Sequence, residues 1–470
     1  MITQKVYTND LEGRIDPHFY KPKYLEAITR LKGLKTPTKR VDSFSDVICG
    51  PFGSAVKVDD YSSDGVPLIR IENIDKTEGV SSTNATFINE RLASSLKHYK
   101  VNKGDLVISQ RGTLGLCGVI RDDLSGAVIS ANLIAIKNLK EVNPDYLKFF
   151  FSSNLGQIQL ERRTSGQVQT KITTEDIKTL LVPIPSQEIQ HKIINTYLSA
   201  LEDREEKLKQ ADELLNSIDG YVRQQLGITY TEPEEEKIYT VNSQDLEGNR
   251  QDPYYYNPNF VKAFNSLVRI KHKILSLGQL IVDMSGGATP EVEGDFYTDE
   301  KNGVPFLRVQ NITKKGISLD DVKYIKKTVH YTTLKRSQLR AEDLVFTITG
   351  RIGSVAVVPN NFTGNINQHS VRIQLKDSID GVKISPIYIA TFLNSSFGQQ
   401  ITIRGITGGT RPALDYEYIK TIPIPLPDIK IQENIAQDFS NRVSGAEKLQ
   451  NEASKLLEDA KKQVEEMILN

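Results

Sequence analysis

The chain has 470 residues, 38% of them hydrophobic, and its 59 Lys and Arg balance 59 Asp and Glu. That length suits two or three domains, and the zero formal charge excludes a chain-wide basic field, although phosphate contacts need only a local basic surface. Cys49 and Cys117 are the only cysteines and sit in apolar, strand-like runs, which argues for small core residues rather than a disulfide or metal site. Residues 1–10 are polar and lack the apolar core of a signal peptide, and no apolar run approaches membrane-spanning length. A cytoplasmic location with no membrane partner is the resulting expectation.

In chain order, the first half returns in the second with an offset of about 236 to 242 residues, a duplication. Asp10-Leu11-Glu12-Gly13 recurs as Asp245-Leu246-Glu247-Gly248, and Asp16-Pro17 with Tyr20 as Asp252-Pro253 with Tyr256. Gly65-Val66-Pro67 leading to Arg70 and Asn73-Ile74 recurs as Gly303-Val304-Pro305 leading to Arg308 and Asn311-Ile312. Asp105-Leu106-Val107 with Gly112 and Gly115 recurs as Asp343-Leu344-Val345 with Gly350 and Gly353. Strands are expected at 68–71, 106–109, 119–120 and 133–136, and at 306–309, 344–349, 355–358 and 371–375. Short helices are expected at 21–31, 144–160 and 386–401.

Each copy closes with a Pro-x-Pro pair and a long helix. Over 187–227 the apolar positions Ile194, Leu198, Leu201, Leu208, Ala211, Leu215, Ile218 and Val222 step mostly by three and four, the mark of one apolar seam. Glu205 interrupts that seam, and 202–209 is otherwise a charged face. Over 429–470 the seam is Ile431, Ile435, Phe439, Val443, Ala446, Leu449, Ala453, Leu456, Ala460, Val464 and Met467. Neither helix can bury its seam alone, so the two are expected to pair. The predicted fold class is α+β, with two tandem strand-rich mixed α/β domains, each followed by a long helix. The helices form an antiparallel coiled coil with pseudo-twofold symmetry. The expected boundaries are domain one at 1–186, the first helix at 187–227, a linker at 228–244, domain two at 245–428 and the second helix at 429–470. A forty-residue helix spans about 60 Å, or roughly eighteen base pairs, an upper bound on head spacing if the ligand is DNA.

The motifs resemble those of the specificity subunit of type I restriction–modification systems. They comprise Asp16-Pro17 with Tyr20, the run 50–54 (Gly-Pro-Phe-Gly-Ser), Gly65-Val66-Pro67 with Arg70, the run 104–107 leading into Arg111-Gly112-Thr113, and the closing Pro-x-Pro. The resemblance covers essentially the whole chain. It implies two target recognition domains, each reading one half of a split double-stranded DNA site, and helices that set the gap and dock two methyltransferase subunits. It also implies that this chain performs no chemistry and holds no cofactor. S-adenosylmethionine belongs to the methyltransferase partners, and ATP and Mg to the restriction (motor–nuclease) subunits. The second copy replaces 50–53 by Gly286-Gly287-Ala288-Thr289-Pro290, and Arg111 by Thr349 with Arg351 nearby. An asymmetric site is therefore expected.

Base reading needs side chains that fork onto base edges, and phosphate positioning needs cations, hydroxyls and amides. Two matching loops are rich in such groups. One carries Arg162, Arg163, Ser165, Gln167, Gln169 and Lys171, and the other carries Arg404, Thr407, Thr410 and Arg411. The turns with Gln110, Arg111 and Thr113, and with Thr349 and Arg351, come next. Each could equally be a solvated polar turn, and the glycines could serve only tight hairpins. Asn132, Asn367, Gln368 and His369 are weaker candidates. Arg70 and Arg308, in apolar strands, suit pairing with a carboxylate better than base contact. Neither His18 nor His369 has a partner pattern for a metal.

Asn257-Pro258-Asn259-Phe260 resembles the Asn-Pro-Pro-Phe box of amino-methyltransferases but departs at its third position and has no companion cofactor loop. No phosphate-binding Gly-x-x-x-x-Gly-Lys run occurs. The competing readings are a recognition subunit of a related modification or phage-defence system, a self-contained enzyme for which there is no spare length, and a non-catalytic protein adaptor.

Overall fold

The computed structural model describes residues 15–75, 79–113, 115–164, 171–230, 238–247, 250–290 and 294–469. They form two compact units. The first takes the described residues up to Leu208 and those from Asn451 on; the second takes 209–450. The units therefore divide along the long helices rather than at their ends.

Both units repeat one topology. In the first, a four-stranded antiparallel sheet runs in the order Asp46–Cys49, Leu133–Lys137, Leu106–Ser109, Cys117–Val119. In the second, the same order is Ile281–Gly286, Ser370–Leu375, Leu344–Thr347, Val355–Val357. A second four-stranded sheet in each unit contains one parallel pair, Val66–Ile69 with Val128–Ile129 and Gly303–Leu307 with Asn365–Ile366. The first sheet is covered on both faces. Leu106, Ile108, Ile134 and Ile136 enter one core cluster, and Val107, Leu133 and Ala135 another. Alternate side chains point to opposite faces, so a sheet buried on both sides reads as a continuous apolar run.

Several expected boundaries shift. The helix expected at 144–160 is two, Pro144–Ser152 and Asn154–Arg163, and that at 386–401 is Pro386–Asn394 and Ser396–Ile403. The break is a new N-cap in each case. Ser153 accepts from the Gly156 amide and Ser395 from the Gly398 amide, which satisfies a donor that the second helix would leave open. The strands at 68–71 and 306–309 begin earlier, as Val66–Ile69 and Gly303–Leu307. Arg70 and Arg308 then cap single 3-10 turns, where Asn73 and Asn311 side chains accept from the Arg amides.

The long helices run Gln187–Leu226 and Ile429–Leu469. Inside the first unit, Ile193, Ile194 and Tyr197 share a core with Val464 and Ile468, and Lys207 meets Glu452 at 2.6 Å. Lys207 thus belongs to the helix pairing and not to a free charged face. Inside the second unit, Arg442 donates to Ser217, and Gly445 lies beside Leu214. The numbering runs up one helix as it runs down the other, an antiparallel pair. Leu198, placed in the seam by periodicity, is 41% exposed, and its neighbour Tyr197 is buried in its stead.

Each long helix is pinned to its unit by a buried glutamine. Gln190 accepts from the Asn143 amide and donates to the Glu141 and Pro185 carbonyls. Gln432 does the same with Ser385, Lys383 and Pro427. Tyr146 and Tyr388 each donate at 2.6 Å to the carbonyl of the strand that precedes the helix, at Pro183 and Pro425. Buried polar groups carry their weight only when satisfied, and here both copies solve the same accounting in the same way.

Candidate DNA interface

The expected site residues fall into three groups. Two arginines are internal struts. Arg162 ends the helix Asn154–Arg163, is 1% exposed, donates to the Phe19 carbonyl at 3.0 Å and stacks 3.7 Å from the Phe19 ring centre. Arg404 caps Ser396–Ile403, is 4% exposed, donates to the Tyr255 carbonyl at 3.1 Å and to Glu247 at 2.9 Å, and lies 3.8 Å from the Tyr255 ring centre. Their expected place on a DNA-facing loop is corrected: each guanidinium is spent on a ring and on backbone. Burial opposes ionisation of Glu247, but the Tyr255 hydroxyl and Arg404 outweigh it and hold the carboxyl below its usual range. Burial, together with the hydrogen bond to Glu247, pushes Tyr255 up to about 12.

Gln110 is the third strut. It is 3% exposed, and its amide donates to the Ala131 carbonyl at 2.5 Å and points at the Cys49 sulfur at 3.2 Å. It fastens three segments together from beneath rather than facing solvent, which corrects its expected surface role. Arg163 is half-buried and reaches the Thr179 carbonyl at 3.4 Å.

Arg111, Thr113, Arg351, Thr407, Thr410 and Arg411 are exposed, and Lys171 is half-buried. Ser165, Gln167 and Gln169 lie outside the described residues. The exposed groups gather at one end of each four-stranded sheet. Ser109 and Thr347 hydroxyls donate to the Thr113 and Arg351 carbonyls and accept from the Leu116 and Ser354 amides. These bonds close the turns at Gly112 and Gly350, whose φ of 72° and 71° favours glycine. In the second unit Thr407 and Ala413 exchange two backbone bonds of 2.9 Å, so 407–413 is a hairpin tip carrying Thr410 and Arg411. Its base pairs with Thr349, and the Leu414 amide donates to the Ile348 carbonyl at 3.0 Å. In the first unit the Ile172 amide donates to the Gln110 carbonyl at 3.1 Å, which sets the end of the corresponding loop in the matching place.

Arg70 and Arg308 pair with Glu72 and Asp321, the structural role expected of them, although they cap turns just past the strands instead of lying within them. Cys117 is buried, which pushes its thiol up to about 11. Among the described residues no cluster of His, Cys, Asp and Glu could hold a metal, and no helix is long and apolar enough to cross a membrane.

Sequence reasoning missed the struts' aromatic partners, Phe19 and Tyr255. The available signal was that an aromatic and an arginine recur at the same place in each copy.

The sequence profile of the type I restriction modification DNA specificity domain matches residues 38–216 and 273–458. The chain belongs to this family. It is 22% identical over 418 residues to the specificity subunit of the type I restriction enzyme EcoBI of Escherichia coli, covering 86% of this chain and 79% of that one. It is 21% identical over 393 residues to the MjaIX specificity subunit of Methanocaldococcus jannaschii, covering 83% and 82%. A solved structure described as bearing on complex assembly and conformational transition of the type I R-M system matches in fold. Its TM-score is 0.53 at 15% identity, over 92% of this chain and 97% of that one. The chain is thus a type I restriction–modification DNA specificity subunit, with its profile matched once in each repeat.

Proposed function

We propose that each unit reads one half of a split, asymmetric double-stranded DNA site for a restriction–modification complex, and that this chain does no chemistry itself. The observation that carries the proposal is internal. Two copies of one fold, in a family of DNA specificity domains, present different exposed side chains at the same end of the same sheet. Two identical readers would give a symmetric site; two that differ give an asymmetric one.

Arg111, Thr113, Lys171, Arg351, Thr407, Thr410 and Arg411 stand on this surface as DNA contacts; Ser165, Gln167 and Gln169, outside the described residues, are proposed as contacts on their sequence alone. The long helices, each shared between the units, set the gap between half-sites and dock two methyltransferase subunits that carry S-adenosylmethionine. Restriction subunits using ATP and Mg complete the complex, which works in the cytoplasm.

The test is genome-wide detection of modified bases in cells with and without this gene, alongside the cognate methyltransferase. One split, asymmetric motif that loses its modified adenines when the gene is removed is the expected result. An unchanged modification pattern in an active system overturns the proposal.

A further inference from the structure

Gly50 and Gly287 occupy the same place in the two units. Each directly follows the first strand of the four-stranded sheet, and its amide donates across to the Leu133 or Ser370 carbonyl at 2.9 and 3.0 Å. A Cβ on either would fall 2.0 Å from a backbone oxygen, that of Ser130 or of Asn367. The chain must therefore lie flat against the tight turn opposite it, and the side chain two residues later stands outward. That residue is Phe52 in the first unit, 88% exposed, and Thr289 in the second, also exposed. The opposing turn presents Asn132 in one unit, and Gln368 and His369 in the other. A third segment joins through the Gln110 amide to the Asn132 carbonyl and the Ile348 amide to the His369 carbonyl, both 3.0 Å. It brings Arg111 or Thr349 to the same spot.

The backbone frame is thus the same in both units, while every side chain at its tip differs. In the second unit the tips form a chain. Thr289 bonds Gln368, the Gln368 amide lies 3.1 Å from His369 Nε2, and His369 Nδ1 lies 2.5 Å from the Thr349 hydroxyl. In the first unit no such chain is possible, because Ala131 and Phe52 stand where Gln368 and Thr289 do. A cleft of about 360 Å³ opens beside Phe52 instead, lined also by Tyr61, Arg70 and Asn132.

We infer that this three-segment cluster is the base-reading site of each unit, an inference that rests on the DNA-reading proposal above. Its chemistry differs by unit. The first offers a guanidinium suited to guanine, an amide suited to adenine, and an exposed ring for a thymine methyl or an unstacked base. The second offers the Gln368 amide, held by its neighbours in one orientation and suited to the two adjacent groups on an adenine edge. A frame that holds backbone and leaves the tips free to differ lets one fold read two sequences.

The experiment profiles modified bases in cells carrying the full chain with its methyltransferase, as wild type, as Phe52→Ala with Asn132→Ala, and as Gln368→Ala with His369→Asn. The last pair installs the residues that the first unit already accommodates at this turn, so the fold is kept. Expected is a loss of discrimination of about tenfold or more at one or two base pairs, in one half-site for the first variant and in the other half-site for the second. Unaltered base preference in both variants overturns the inference. So does uniform weakening with preference intact, the mark of a phosphate or structural role. If the wild-type chain directs no methylation at all, the DNA-reading proposal fails instead, a separate outcome.

Discussion

The two units share their frame and differ in what fills it. Arg162 and Arg404 stack on Phe19 and Tyr255, and Gln190 and Gln432 hold the same three backbone groups. Where only shape is needed, the copies part. In the first unit Val128 lies beside Leu68 in an apolar cluster with Leu96. Its counterpart beside Phe306 is Asn365, fully buried, which donates to the Leu334 carbonyl at 2.8 Å and to Ser337 at 3.1 Å and meets His330. Facing Val107 the first unit has Ala135; facing Val345 the second has Arg372, held between Asp283 and Asp343. Backbone accounting admits few solutions, so the duplicates keep the same one. Apolar filling admits many, including a satisfied polar network.

The largest effect expected from breaking this comparison is at the struts. Arg404→Ala removes one of the two cations stacked on the Tyr255 ring, Arg250 remaining 4.1 Å from its centre, and leaves the Tyr255 carbonyl without the guanidinium donor and Glu247 without that partner, at a cost of about 3 kcal/mol. Urea unfolding, resolved as two transitions where the units melt apart, should show the second unit destabilised. Normal stability combined with weakened DNA binding would return Arg404 to the interface.

Asn365→Val should cost about 2 kcal/mol, because it leaves the buried His330 Nδ1 without its partner and takes one donor each from Ser337 and the Leu334 carbonyl, which keep their bond to one another. Adding His330→Leu, which removes the buried ring nitrogen left without its partner, should restore part of that loss. A double variant no better than the single would mean that the network is not a unit. The comparison would then have to be sought in the packing of Val329 and Leu334.

Glu247→Gln is a smaller change, about 1 kcal/mol, because the carboxylate is more than half exposed. Its folded carboxyl is held below the usual 4.5. It therefore contributes stability above that value and loses it as pH falls through the lower folded value. The gap between wild type and variant in thermal melts should be full at pH 7 and close in acid below 4.5. A gap that does not change with pH would show that the loss comes from the hydrogen bonds the amide cannot make and that charge plays no part.

The sequence made the duplication, the long helices and most strands legible, because each rests on a local pattern repeated in order. The breaks at Ser153 and Ser395 were not legible, since each interrupts a long run whose periodicity continues across it. Only the repeated Ser-x-x-Gly, Ser153 to Gly156 and Ser395 to Gly398, hinted at a new cap. The fate of Arg162 and Arg404 was hidden for another reason. Their partners lie 143 and 149 residues away, and an arginine beside a glycine-rich loop looks the same whether it stacks inward or reaches outward. Arg351 and Arg411 carry the same local signals and do lie exposed.

The smallest expected effect concerns the first long helix, where periodicity chose Leu198 and the structure chose Tyr197. Both fit a spacing of three or four from Ile194 and Leu201. What decides is the wall they meet: the Tyr197 ring lies 4.3 Å from that of Phe149, within the core of the same unit, while Leu198 is turned 100° further round the helix and stays open. Leu198→Gln should therefore change stability by less than about 0.5 kcal/mol, whereas Tyr197→Ala should cost about 3 kcal/mol. A large loss for Leu198→Gln in the isolated chain would place the seam where periodicity puts it. A negligible loss there, with impaired assembly with a methyltransferase subunit of the kind proposed above, would mark Leu198 as part of a surface covered by such a partner.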